Sequence, residues 1–187
     1  IEGNVEFTYS TKFEGRLLVE GNLTIKAGGF IEAGGFIEAG RYIKAGGFIE
    51  AGEYIKAGRY IKAGRYIKAG RYIKAGGFIE AGGFIEAGEF IEAGEFIEAG
   101  ESYGISSGLQ IRCKGILTFG LKAYAGICTW REITDEEKTI TCSKLEGGGV
   151  VEYGILKETG IEEKKEFTLE EVAEKLGVPV EELRIKD

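Results

Sequence analysis

A six-residue unit, I-(K/E)-A-G-(G/R/E)-(F/Y), repeats from Ile25 to Gly100 and limits the fold more tightly than any other feature of the chain. Isoleucine holds every sixth position from Ile25 to Ile97, thirteen copies in all. Alanine follows two residues later and glycine three later, and an aromatic precedes each next Ile, from Phe30 to Phe96. Residues two apart on a strand leave it on the same side. Ile and Ala therefore share one face, and the aromatic and the Lys/Glu share the other. A helix would lose roughly 1 kcal/mol at every Gly, and six residues are too few for a helical repeat. The unit predicts a β-solenoid with Ile and Ala inward and the aromatic and charged residues outward. Glycine is expected to turn each corner at positive φ.

Steps of six carry the column beyond the perfect copies. Backward it meets Val19, Phe13, Phe7 and Ile1; forward it meets Tyr103, Leu109, Gly115, Leu121, Ile127 and Ile133. Only Gly115 breaks it, so the solenoid is expected over 1–133, with 25–101 as a duplicated stretch inside an older array. Three faces of six residues give an 18-residue coil, about seven coils at ~4.8 Å each, and a rod of about 35 Å. A flat two-faced coil of twelve is the alternative. Charge pairs at i+18 and i+12 do not separate the two. Three faces are favoured because Ile converging with Ala fills a triangular core. The fold class is thus all-β, a parallel β-helix, with a short C-terminal α-helical appendage.

The hexapeptide period resembles the left-handed β-helix of hexapeptide-repeat acyltransferases. Those enzymes use a small residue four after the aliphatic one and a histidine base; here that position is Gly, Arg or Glu, and the chain has no His. The run Gly15-Arg-Leu-Leu-Val-Glu-Gly21-Asn-Leu-Thr-Ile-Lys-Ala27-Gly28 resembles bactofilins, bacterial cytoskeletal proteins that form polymers. That resemblance spans residues 13–100. It implies a right-handed three-faced β-helix and self-assembly. The regular Phe/Tyr column departs from it, and handedness stays open.

Past residue 101 the unit decays. Strands are expected at 109–113, 121–125, 139–142 and 150–156, with a polar turn at 135–138 and Trp130 packing this section. Residues 134–160 are read as a β-rich cap on the solenoid. Within 161–187, Thr168 with Glu171 forms a capping box ahead of Leu169, Val172, Ala173 and Leu176. Gly177 ends that helix, and Val178-Pro179 opens a second. This resembles half of a helix-turn-helix or a truncated LysM-like module. Its acidic charge opposes phosphate binding, so a docking or dimerisation role is expected.

Composition removes several functions. Without histidine there is no Ser-His-Asp or Cys-His catalysis and no His-ligated zinc. No cofactor and no metal are indicated. The net charge of −7 lacks a nucleic-acid footprint. Cys113, Cys128 and Cys142 are odd in number and without a C-x-x-C pair, which reads as buried free thiols in a reducing cytoplasm. No apolar run is long enough to span a membrane. The missing Met suggests a trimmed start.

The outer surface is the remaining candidate. Aromatics such as Phe36, Tyr54, Tyr72 and Phe90 should share a column if a coil holds three units. Residues 53–76 form a basic belt: Lys56, Arg59, Lys62, Arg65, Lys68, Arg71 and Lys74, interleaved with Tyr54, Tyr60, Tyr66 and Tyr72. Residues 77–101 form an acidic belt of Glu80, Glu86, Glu89, Glu92, Glu95, Glu98 and Glu101. The expectation is a non-enzymatic bacterial structural or protein-interaction solenoid. It would associate with itself, as a two-fold dimer or polymer, or with another protein, through these belts. The alternative is a phage-type or duplex-mimicking inhibitor of a nucleic-acid enzyme, since the Glu column resembles pentapeptide-repeat gyrase-protecting rods. A glycosidase-like enzyme and a carbohydrate-binding rod come after these.

Overall fold

Alternation of a large and a small inward residue builds the same narrow strand over and over. In a computed structural model, which describes residues 1–26, 28–160, 173 and 177–179, the chain winds as a three-faced parallel β-solenoid. Each of three sheets has eight strands, so the rod has eight coils. The first sheet stacks Val5–Phe7, Leu23–Ile25, Tyr42–Ala45, Tyr60–Ala63, Ile79–Ala81, Ile97–Glu98, Ile116–Thr118 and Lys144–Glu146. The second runs from Thr11–Phe13 through Ile31–Ala33, Ile49–Ala51, Ile67–Ala69, Ile85–Ala87 and Ile105–Ser107 to Lys122–Ala125 and Val150–Tyr153. The third runs from Leu17–Val19 through Ile37–Ala39, Ile55–Ala57, Ile73–Ala75, Ile91–Ala93 and Ile111–Cys113 to Thr139–Cys142 and Ile155–Glu158.

Inside the repeats, strand partners lie three units apart: Ile61 pairs with Ile43 and Ile79, and Ile67 with Ile49 and Ile85. The two-faced coil of twelve is thereby excluded. The core is a stack of Ile and Ala, with every Ile from Ile31 to Ile97 at 0% exposure. The aromatics are half-buried on the outer side, as alternation requires.

The steps of six fail at both ends of the repeats. Two extra residues enter after Ile25, so Leu23 pairs with Ile43 and Ile25 with Ala45. Ile25 therefore fills an Ala position, as do Val19, against Ala39, and Phe13, against Ala33. Two more enter after Glu98, where Ile85 meets Ile105 and Ile97 meets Leu117. The inward column continues through Ile105, Ile111, Leu117 and Ala123, and Tyr103, Leu121 and Ile127 project into solvent. Both insertions sit at the corner from the first sheet to the second, where extra chain can bulge outward.

Glycine works differently from the expectation. Positive φ occurs at Gly28, beside the first insertion, but at none of the later repeat glycines. A Cβ on Gly70 would run into the Gly52 carbonyl oxygen of the coil below. The corner glycines are required by close approach between coils, not by a left-handed turn.

Three further corrections concern residues 126–160. Trp130 is 59% exposed on the loop between the second and third sheets rather than packed inside. The stretch at 150–156 is two strands, split at Gly154 (φ 120°), and Lys144–Glu146 is a strand the alternation did not show. Residues 139–158 supply four strands in parallel register with the coils beneath. Cys113 and Cys142 are buried free thiols in Ala-like inward positions, pushed up to about 12 and about 11 by burial; Cys128 is half-exposed. Among the described residues, no helix is long and apolar enough to cross a membrane. The helices expected within 161–187 fall outside the described residues, apart from isolated positions.

Candidate interaction surface

Because the chain returns to the same face at every third unit, the outer side chains form ladders. Three aromatic columns of four rings climb the corners: Phe30–Phe48–Tyr66–Phe84, Phe36–Tyr54–Tyr72–Phe90 and Tyr42–Tyr60–Phe78–Phe96. Centroids are 4.4 to 4.8 Å apart and planes lie within 8° of parallel, the third column holding Tyr42–Tyr60 at 4.8 Å and 5°. Such pairs each stabilise by about 0.5–1.5 kcal/mol beyond area burial. The Tyr54 hydroxyl donates to Glu38 Oε2 (3.2 Å) and the Tyr66 hydroxyl to Glu50 Oε2 (3.0 Å). Burial, with the carboxylate beside each, pushes both phenols up to about 12.

The basic and acidic belts are stitched to each other within the molecule. Lys62 reaches Glu80 at 2.6 Å, Lys68 reaches Glu86 at 2.8 Å, Arg71 reaches Glu89 at 2.9 Å and Lys74 reaches Glu92 at 2.9 Å. Lys56 pairs downward with Glu38 at 2.8 Å. Hydrogen bonds to these carboxylates raise Lys56, Lys68 and Arg71 above their ordinary values. The i+18 spacing of these pairs is present in the sequence, but like-charged neighbours such as Lys44–Lys62 mask it in a simple count. A duplex mimic needs a run of unpaired carboxylates, and Glu80, Glu86, Glu89 and Glu92 each hold a cation instead. Exposed pairs of this kind contribute about 0–1 kcal/mol each, so they set register more than stability.

The sheets differ in what the pairing leaves over. On the second sheet the outward row reads Lys12, Glu32, Glu50, Lys68, Glu86, and on the third Glu38, Lys56, Lys74, Glu92, Arg112. Charge alternates there over short distances. On the first sheet the row reads Glu6, Thr24, Lys44, Lys62, Glu80, Glu98, Thr118, Glu146. The corner beside it stacks Arg41, Arg59, Gly77 and Glu95 through backbone N–H to carbonyl bonds. Over the four coils from Lys44 to Glu98 this face is cationic below and anionic above, with the Lys62–Glu80 pair at the midpoint. Of the expected surface residues, Arg59, Tyr60, Lys62, Glu80 and Glu98 come together here. Arg65, Tyr66, Lys68 and Glu86 lie on the second sheet and its corner; Tyr54, Lys56, Arg71, Tyr72, Lys74 and Glu92 lie on the third. Sequence reasoning missed Arg41 and Lys44, which precede the belt by one coil.

At the anionic end the first sheet carries an open groove of about 640 Å³ lined by Glu95, Phe96, Glu98, Lys114, Ile116, Thr118 and Glu146. Among the described residues, no three His, Cys, Asp or Glu side chains converge as metal ligands.

No protein family, curated protein or solved structure matches the chain. The three-unit coil and the three parallel sheets make it a hexapeptide-repeat β-solenoid on its own evidence.

Proposed function

We propose that this chain is a non-enzymatic, rigid scaffold rod that associates with a second copy of itself through the first sheet. The observation that carries the reading is the division of the middle four coils of that face into a cationic half (Arg41, Lys44, Arg59, Lys62) and an anionic half (Glu80, Glu95, Glu98). Two such faces laid antiparallel place each cationic half on the other's anionic half. The result is a closed two-fold contact. Arg41 and Lys44 of one copy then lie opposite the groove beside Phe96 of the other, where their stems cover its apolar floor. Charges of this kind steer encounter and fix register, and the half-buried rings supply apolar contact. The resemblance of residues 13–100 to polymer-forming bactofilins supports assembly as the role. The three free cysteines support a cytoplasmic setting.

Sedimentation velocity tests this directly. The chain is expected to dimerise at low salt and to dissociate as salt rises. Lys44→Glu with Lys62→Glu is expected to give a monomer, as is Glu80→Lys with Glu98→Lys. Mixing the two variants is expected to restore a heterodimer. A wild-type chain that stays monomeric at every salt and protein concentration sinks the proposal.

A further inference from the structure

The aromatic column on the second sheet ends abruptly. Its lowest ring, Phe30, is covered by the Lys12 ammonium at 5.7 Å from the centroid. Its uppermost ring is Phe84, 4.8 Å above Tyr66. The repeat would put a fifth ring just before Ile105, which pairs with Ile85. The residue there is Gly104. The two-residue insertion is the cause: Tyr103 is drawn into a turn, its N–H bonding the Gly100 carbonyl at 2.8 Å, and is 46% exposed. Gly104 cannot regain a side chain, because a Cβ would meet the Lys122 carbonyl oxygen.

The place left open is a cleft of about 230 Å³ lined by Phe84, Gly104, Ser106, Leu121, Lys122, Tyr124 and the edge of Glu86. By strand register Phe84 lies one coil below Gly104 and Lys122 one coil above it, so the two residues bound the place of the missing ring along the rod. Two coil steps of about 4.8 Å leave room for one flat ring between them. Leu121, 56% exposed, stands at the mouth. The charges in the walls are already matched: Glu86 holds Lys68 at 2.8 Å and Lys122 holds Glu152 at 3.1 Å. A charged ligand would have to displace one of these pairs, whereas a neutral one would not. Ser106, in the outward position of its strand, offers a hydroxyl at the rim.

We propose that this slot binds a neutral planar aromatic ring with a hydroxyl or N–H on its edge, a phenol or an indole, as the missing fifth member of the ladder. The ring stacks on Phe84, and its polar edge reaches Ser106. Lys122 adds a cation–π contact from above. The site lies on a different sheet from the proposed dimer face and is independent of it.

Amide NMR of the full chain, titrated with p-cresol, indole and the capped peptide Gly-Tyr-Gly, tests the assignment. Saturable ring-current shifts are expected at Gly104, Ile105 and Ser106. Tighter binding of the peptide than of p-cresol would mark a side chain of a partner as the source of the ring; equal binding would mark a free ring as sufficient. Leu121→Asp removes an exposed wall without touching the core and is expected to weaken binding about tenfold. Phe84→Leu, with its β-sheet signature retained by circular dichroism, is expected to weaken it further. Absence of saturable shifts with all three probes overturns the proposal. So does unchanged affinity in Leu121→Asp, or equal affinity for the non-planar control cyclohexanol.

Discussion

Between Ile31 and Ala99 every inward pair is Ile with Ala, and each ring lies on another ring; between Ile105 and Cys142 the inward pairs become Ile105–Ser107, Ile111–Cys113, Leu117–Phe119, Ala123–Ala125 and Ile140–Cys142. All of these latter side chains are at most 2% exposed, so the core closes equally well in both regions. What vanishes above Phe96 is the outer ladder. Scattered ion pairs such as Lys122–Glu152 take its place. The inside of the coil demands a pair of suitable volume. The outside demands identity, because a flat ring stacks best on another flat ring. The upper region accordingly has the long loop, the exposed Trp130 and Leu121, and the empty place above Phe84.

If the core is equivalent in the two regions, Ile67→Ala and Leu117→Ala should each cost about 2–5 kcal/mol. Equilibrium denaturation would show this, and a clearly smaller loss at Leu117 would break the equivalence. Gly70→Ala comes next, because its Cβ meets backbone rather than a yielding side chain; overpacking should cost about 1–3 kcal/mol. The open-ended glycine Gly148, with nothing within 4 Å of a Cβ but φ of 77°, should feel only the smaller strain of the left-handed conformation. For the ladders, Tyr66→Leu removes two stacked contacts and Phe84→Leu one. The expected losses are about 1–3 and about 0.5–1.5 kcal/mol, and equal losses would mean that the stacking contributes nothing. Tyr54 and Tyr66 also sharpen the contrast by pH. Their folded values of about 12 lie above the ordinary phenol value of 10.0, so the folded state holds the proton longer. Their stabilising contribution is complete below pH 10 and is lost as pH rises towards 12. Absorbance titration should show Tyr54 and Tyr66 ionising late, and less late, though still above the ordinary value because burial remains, once Glu38 and Glu50 are replaced by Gln. The smallest effect is expected for Lys74→Gln, about 0–1 kcal/mol.

Much of this is legible in the residues alone. Alternation at Ile and Ala establishes which side is core, and three units to the coil place Phe36, Tyr54, Tyr72 and Phe90 in one column. The insertions at 26–30 and 100–104 are hidden, since Ile25-Lys-Ala27-Gly28 reads as a perfect copy although Ile25 occupies the Ala position. Only the strand partner reveals that. The role of glycine is obscured for a similar reason: a neighbour one coil away, not the residue's own turn, excludes the side chain. The belts look segregated along the chain, whereas coiling folds one against the other. Only the first sheet keeps the two signs apart, because there Lys44 meets Lys62 and Glu80 meets Glu98.

The uniform distance between strand partners has a consequence for how the chain reaches this state. Parallel sheets ordinarily require closure of long loops, which slows folding. Here most partners are one coil apart along the chain, about a tenth of its length, a relative contact order near that of helical bundles. Each finished coil presents three strand edges on which the next can settle. Assembly can therefore start on any coil of the Ile–Ala stretch and spread one turn at a time in both directions. The long loop at 126–138, which separates Ile111 from its partner Ile140, marks the step where that zipper should pause.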